Sequence, residues 1–470
     1  MPLPGAAMTA PLFTLDAVLA ATGGRADGVA AEAIDSISID SRELGPRALF
    51  VAIRGDRFDG HDFVDTALAN GAVAALVSRG DGAGRIRVPD ALEGLRDLAR
   101  AARARSRAFV VGVTGSVGKT TTKEALRLVF EAAGETHASI KSFNNHWGVP
   151  LMLARLPATA QFGVFEMGMN APDEIRPLSR LVRPHVAVIT TVAPAHLERL
   201  GSLEAIARAK AEIFEGLEPG GVALLNADHN QFDLLREAAV AAGVGSVVTY
   251  GFARGVDWQI VGAETTAEGS SATLLHGDDS YPLTLGVAGR HMLANATAAV
   301  AVAHLAGVAP DVALRALAGF GAQPGRGQRL VLGPAATPLV LIDESYNANS
   351  ASMAAALAVF AELSPPGRKV AVLGDMLELG AQSAALHAGL APAVRASGAD
   401  AVFLVGDQMA ALAEVLAPVM PVSHFPTAEM AAAGLVEALA YGDAVMVKGS
   451  NGVGLKRVVD AIRVRFEPAR

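Results

Sequence analysis

A glycine-rich run, Gly115-Ser-Val-Gly-Lys-Thr, separates an apolar stretch that begins at Ala108 from apolar residues at helical spacing, Leu126, Val129, Phe130 and Ala133. The pattern predicts a strand, a tight turn and a helix that Gly134 ends. Thr114, Gly115, Ser116, Val117, Gly118, Lys119, Thr120 and Thr121 then surround a helix N-terminus, where converging backbone N–H groups bind phosphate oxygens. Lys119 adds a positive charge and Thr120 a hydroxyl for Mg²⁺. That chemistry is the handling of ATP. The longer form of this loop needs glycine at 113, where Val113 stands, so the fit is to Gly-x-x-Gly-Lys-Thr. A glycine-rich turn without a ligand is the alternative.

Other polar residues fall at predicted strand ends, the side on which open parallel sheets bind ligands. Glu166 closes one strand and His196 follows another. With Thr120 they compose a candidate site for Mg²⁺, an ion that favours oxygen ligands and keeps waters. A solvent-facing Glu166 and a His196 bonded to backbone are the plainer readings. Lys210 lies in a helical stretch and by pattern is an ordinary helical lysine. Buried, with a depressed pKa, its amine would be a nucleophile. The run Phe143-Asn-Asn-His-Trp-Gly-Val-Pro puts Asn144 and Asn145 in a loop suited to a polar ligand, or in a capped turn. In Asp343-Glu-Ser-Tyr-Asn-Ala-Asn-Ser, Asp343 can take ribose hydroxyls, and Tyr346 and Asn347 can pack on or bond to a base. The competing reading is a helix start capped by Ser350. Arg326 can clamp a phosphate bidentately or lie on the surface.

Strand-like and helix-like segments alternate, which predicts α/β layers. A first segment, 1–106, is a smaller α/β domain that an Arg-rich helix at 92–105 leads out of. A second, 107–322, carries strands at 162–167, 186–192, 222–226 and 246–250. Antiparallel β at 256–287 and a helix at 291–305 follow. The run 321–329 holds glycine, proline and two arginines and reads as a linker. A third segment, 323–470, repeats strand and helix with strands at 339–343, 369–373, 401–405 and 444–448. The expected fold is thus three α/β domains. The centre is a mostly parallel phosphate-loop sheet flanked by helices, and the C-terminal domain is Rossmann-like.

Composition narrows the function classes. With 470 residues, 51 % of them hydrophobic, the chain can bury several cores. A formal net charge of −8 without a long basic run argues against a nucleic-acid partner. The chain has no cysteine, which excludes disulfides, cysteine metal sites and a cysteine nucleophile. The first twenty residues lack a basic segment and contain Asp16, so no signal peptide is expected. The apolar stretch 292–309 carries Asn295 and His304 and reads as a buried helix rather than a membrane span. A cytoplasmic, monomeric enzyme without membrane insertion is expected.

Taken together, these motifs resemble the ATP-dependent Mur ligases of peptidoglycan precursor synthesis, over essentially the whole chain. The shortened phosphate loop is similar to the family's. So are the Asn144-Asn145 run, Ala195-His-Leu-Glu, Ala209-Lys-Ala-Glu-Ile, and Leu373-Gly-Asp-Met-Leu-Glu-Leu-Gly with His387. Asp343-Glu-Ser-Tyr-Asn-Ala-Asn resembles the branch that adds D-alanyl-D-alanine. The resemblance implies ATP-driven ligation of that dipeptide to UDP-N-acetylmuramoyl-tripeptide, with ADP and phosphate released. It implies that the first domain binds the UDP part, with Asp40, Ser41 and Arg42 near the uridine nucleotide. The second domain would bind ATP, and the third would complete the ATP site and hold the dipeptide. Glu166 and His196 would hold magnesium and Lys210 would carry a carbamate beside it. Asn295 would contact adenine, with Arg326, Asp343 and Asn347 on the nucleotide and Lys448 on substrate. The chain departs from the family where Lys448-Gly-Ser is followed by Asn451 instead of arginine; Lys456 or Arg457 can substitute. Ser350 and Glu344 stand where proline and aspartate are common. The competing functions are a folylpolyglutamate-type or other Mur-type ligase, and a non-catalytic nucleotide-binding regulator.

Overall fold

Residues 10–55, 58–140, 142–195, 197–266 and 268–467 are described by a computed structural model. Three main sheets organise them. In the first, strands run in the order Arg25–Asp27, Arg85–Arg87, Ala74–Val77, Ala48–Val51, Ser36–Ser38, parallel except for the first pair. Helix Ala91–Arg105 leads away from it, capped by the Asp90 carboxylate on the N–H groups of Leu92 and Glu93. Its inner face buries Leu95, Leu98, Ala99 and Ala102. At its end Arg103 is buried and donates to the carbonyls of Val182 and Arg183 and to Glu218. Those bonds join the first unit to the second.

The central sheet has nine strands. From one edge they are Asp279–Leu285, Ser270–His276, Trp258–Thr265, Ser246–Gly251, Val222–Asn226, Val186–Ile189, Phe109–Thr114, Phe162–Glu166 and Thr136–Ala138. The three edge strands 258–285 are antiparallel, as expected for 256–287, and the rest are parallel. Strands such as Val186–Ile189 are apolar at every position because helices cover both faces. The alanine-rich helix Arg290–Leu305 buries twelve of its sixteen residues and lies against helix Lys119–Glu131. Its small side chains let the two backbones come close. Thr136–Ala138 is an edge strand of three residues, too short for a pattern to announce it.

The third sheet runs Gln328–Leu332, Leu339–Glu344, Ala444–Lys448, Lys369–Gly374, Ala401–Val405, Val422–Phe425, and only its first pair is antiparallel. The residues read as a linker up to 329 therefore end inside a strand. Residues 328–332 alternate in exposure, as a half-buried edge strand does. The helix after the second strand starts one residue earlier than the Ser350 cap implied. Asn349 is the N-cap of Ser350–Ala361, in a reciprocal pair with Ser352.

Candidate functional site

The phosphate loop is shaped by two glycines in the left-handed half of backbone space. Gly115 has φ +148° and Gly118 φ +89°. A Cβ on Gly115 would collide with Thr190, and one on Gly118 would stand 2.6 Å from Asn295 Oδ1. Both glycines are therefore demanded by close approach as well as by torsion. The Ser116 backbone N–H donates to the Thr191 carbonyl at 2.8 Å, and its hydroxyl to the Ala193 carbonyl at 3.0 Å. Thr190 donates its hydroxyl to the Val117 carbonyl at 2.5 Å. The segment after strand Val186–Ile189 thus props the loop from below, and helix Lys119–Glu131 aims its N-terminus into a cleft of about 720 Å³.

Lys119 bends back over its own loop, donating to the carbonyls of Gly115 at 2.6 Å and Ser116 at 3.4 Å. Burial depresses its pKa; Glu166 opposes that shift and Arg326 adds to it. Thr120 donates its hydroxyl to Glu166 Oε2 at 2.9 Å, and Asn144 Nδ2 donates to Glu166 Oε1 at 2.8 Å. Both Thr120 and Glu166 are buried. Lys210 is buried in the same cleft, and its ammonium has no hydrogen-bond partner among the described residues. Burial first, and the charge of Lys119 second, hold its pKa well below the usual lysine value. His196 lies outside the described residues.

The cleft is closed from above by the third unit. Arg326 stacks on the ring of Tyr346 at 4.2 Å, and the Tyr346 hydroxyl contacts the Ser142 hydroxyl of the central unit. Lys448 is buried; its ammonium is held by Glu344 at 3.1 Å and by the Asn347 carbonyl at 2.9 Å. Asn295 lines the cleft and accepts from the Thr122 hydroxyl at 3.3 Å.

Several expected residues have other work in this arrangement. The Asp343 carboxylate accepts from the Gly325 and Ser345 N–H groups and the Ser345 hydroxyl. It shapes the two turns that carry Arg326 and Tyr346 and does not line the cleft. Asn347 turns its side chain oxygen to the Ala348 N–H, though the residue itself lines the cleft. Asn145 lines it too while capping the Gly148 N–H at 2.9 Å. Asp40, Ser41 and Arg42 sit in the first unit, away from the cleft. There Asp40 binds Arg42 through both oxygens, at 2.9 and 2.7 Å, and Ser41 is buried. His387, singled out by its motif, is buried and accepts from the Met376 N–H at 2.9 Å, so it sets the loop after strand Lys369–Gly374.

Sequence reading missed Asn226, Asp228, Phe252, Arg290 and His291, all of which line the cleft. Asn226 and Phe252 sit at or just after the C-terminal ends of strands Val222–Asn226 and Ser246–Gly251. The rule that placed Glu166 was enough to find Asn226; Phe252 is apolar and escapes it.

The oxygen donors suit a small divalent cation. Thr120 and Glu166 offer a hydroxyl and a carboxylate 2.9 Å apart, and a carbamate on Lys210 would add two more oxygens. No cluster of three or more histidine, aspartate or glutamate side chains occurs among the described residues.

A phosphate loop at the C-terminal edge of a parallel sheet, roofed by a second parallel sheet, defines a nucleotide-binding α/β protein. Three family profiles match: "Mur ligase family, catalytic domain" over residues 33–103, "Mur ligase middle domain" over 113–303, and "Mur ligase, glutamate ligase domain" over 325–451. The UDP-N-acetylmuramoyl-tripeptide–D-alanyl-D-alanine ligase of Escherichia coli K12 is 38 % identical over 437 residues, 92 % of this chain and 94 % of that protein. A crystal structure of MurF from Acinetobacter baumannii superposes with a TM-score of 0.84 at 30 % identity, covering 96 % of this chain and 98 % of that one. The MurF ligase of Thermotoga maritima in complex with ADP gives 0.77 at 27 % identity, over 92 % and 97 %. The chain belongs to the Mur ligase family.

Proposed function

We propose that this chain is the ATP-dependent ligase that joins D-alanyl-D-alanine to UDP-N-acetylmuramoyl-tripeptide, releasing ADP and phosphate. The relatives that match over nearly its full length carry that activity in their names. The observation that carries the reading in the molecule is the facing of Lys119, Thr120 and Glu166 with the Arg326–Tyr346 pair of the third unit across one cleft. Residues 1–106 hold the UDP part through Asp40, Ser41 and Arg42, 107–322 bind ATP, and 323–470 complete the site. The protein works as a cytoplasmic monomer on small-molecule substrates; no described helix is long and apolar enough to cross a membrane.

A carboxylate is a poor acyl donor at neutral pH, and phosphorylation by ATP gives it a good leaving group. The loop N–H groups, Lys119 and Arg326 meet the charge on the moving phosphoryl group. Thr120, Glu166 and a carbamate on Lys210 would hold magnesium, with His196 as a further ligand. Magnesium, when bound, screens phosphate charge and orients the oxygens. The dipeptide amine arrives neutral and attacks the acyl carbon; phosphate leaves with the electron pair of the broken C–O bond and takes up the proton the amine sheds. Asn144 steers the Glu166 carboxylate. Cover by the third unit keeps water from the acyl phosphate.

The test is ADP release by the purified chain with magnesium and ATP, with and without each acceptor half, and mass detection of the new amide. Release that requires both halves supports the reading. Release that ignores the dipeptide favours a regulator or another ligase.

A further inference from the structure

Helix Ile175–Val182 is capped from a distance. Its own N-cap residue, Glu174, makes no side-chain cap. The carboxylate that meets its open N–H groups belongs to Glu212. There Oε1 accepts from the Asp173 N–H at 2.7 Å and Oε2 from the Arg176 N–H at 3.0 Å. Glu212 is buried, and no lysine or arginine pairs with it among the described residues. The positive end of the helix compensates its charge. Asp173 sits at φ +66°, a left-handed torsion that a non-glycine residue keeps only where its surroundings impose it. Glu212 imposes it.

What this carboxylate fixes is the turn that leaves Glu166. Residues 167–174 follow strand Phe162–Glu166 directly, and Met169, Asn170 and Glu174 among them line the cleft. The Asn170 N–H donates to Glu174 Oε2 at 2.7 Å, and the Gly168 N–H to the Asn144 carbonyl at 2.8 Å. The exposed Asn170 amide has no partner among the described residues. Strand Phe162–Glu166 flanks strand Phe109–Thr114 on one side; Val186–Ile189 and Val222–Asn226 lie on the other. Helix Ile175–Val182 packs on helix Ala91–Arg105 of the first unit. The turn is therefore the cleft wall on the first unit's side, across the phosphate loop from Asn226. Glu212 also stands two residues beyond Lys210, where helix Leu203–Ala211 ends. One chain segment thus places both the buried amine and this wall. The same segment grips the helix a second time, one turn further on, where the Ser179 hydroxyl donates to the Ile213 carbonyl.

We propose that Glu212 is a positioning residue of the ligation: it holds the 167–174 turn in the shape that seats the peptide arm of the UDP-linked substrate. The assignment rests on the ATP-dependent ligase reading and deepens it. Glu212 touches no substrate. It acts through the turn, whose free Asn170 amide and Glu174 carboxylate present a donor and an acceptor to a peptide. Without Glu212 the left-handed Asp173 and the open helix end lose their support, and the wall moves while the phosphate loop stays.

The experiment compares full-length wild type with Glu212→Ala, Glu212→Gln and Ser179→Ala, the last weakening the same helix away from the cleft. Glu212→Ala is expected to raise KM for UDP-N-acetylmuramoyl-tripeptide about tenfold and to leave KM for ATP unchanged. Inhibition by UDP-N-acetylmuramic acid, which lacks the peptide, is expected to keep its wild-type strength. Glu212→Gln retains one acceptor oxygen and is expected to fall between wild type and Glu212→Ala; it decides alone if Glu212→Ala does not fold. Ser179→Ala is expected to lower Tm without moving either KM. Equal rises in both KM values, an unchanged tripeptide KM, or the same KM pattern in Ser179→Ala overturns the assignment and leaves the ligase reading standing. A wild-type chain that forms no amide overturns both.

Discussion

At the scale of single residues, the cleft is built on two amines treated differently. Lys119 is bonded to carbonyls of its own loop, whereas Lys210 is buried with no described partner. Lys119→Ala removes the mobile charge that follows the phosphoryl group, and kcat is expected to fall by about 10²–10³ in an ADP-release assay. Lys210→Ala is expected to be almost inactive and to regain turnover with a short-chain carboxylic acid, which restores the oxygens a carbamate supplies. Full activity of the unrescued variant removes Lys210 from the site. Stability carries a second signature of the same residue. The folded state disfavours the protonated amine, so from its depressed pKa up to the unfolded value of 10.5 folding releases a proton and stability rises with pH. Tm measured across that window, without ligands, is expected to rise with pH in wild type and to lose that slope in Lys210→Met.

At the scale of elements, what was legible in the sequence was what strand ends dictate. The Gly115 to Thr120 turn, Glu166 and the strands of both parallel sheets follow from apolar runs that stop at polar residues, because a strand covered on both faces has no other pattern. Asp343 was legible as a strand-end carboxylate, but its partners are backbone N–H groups of turns whose geometry no spacing reveals. Lys448 was assigned to substrate, and its partners Glu344 and Asn347 came into reach only when two strands paired in register. Phe252 and Arg290 meet across a long stretch of chain, and nothing local links them. The start of helix Ser350–Ala361 shows how small the margin is: Asn349, not Ser350, holds the reciprocal cap. Asn349→Ala is expected to cost about 1 kcal/mol in urea unfolding, and Ser350→Ala is expected to cost clearly less.

At the scale of the whole molecule, the first and central units are stitched by two arginines, one buried and one half-buried. Arg103 reaches the carbonyls of Val182 and Arg183, and Arg155 donates to the Ile37 carbonyl at 2.7 Å. The third unit meets the centre at the Ser142–Tyr346 contact and where the Glu198 N–H donates to the Glu378 carbonyl at 3.1 Å. Tyr346→Phe, which deletes one such contact, is expected to lower kcat about two- to tenfold with little change in KM for ATP; a change confined to KM would move Tyr346 to the base. Ser142 also accepts, through its carbonyl, the N–H of Asn144, whose amide holds Glu166. A cation that claims this carboxylate competes with the Asn144 amide, and three hydrogen bonds lead from there to the roof. Coupling along that chain of contacts predicts metal and nucleotide first, dipeptide last. Initial-rate and product-inhibition patterns are expected to be ordered in that sense, and a random pattern would mean the two ends of the chain do not speak to each other.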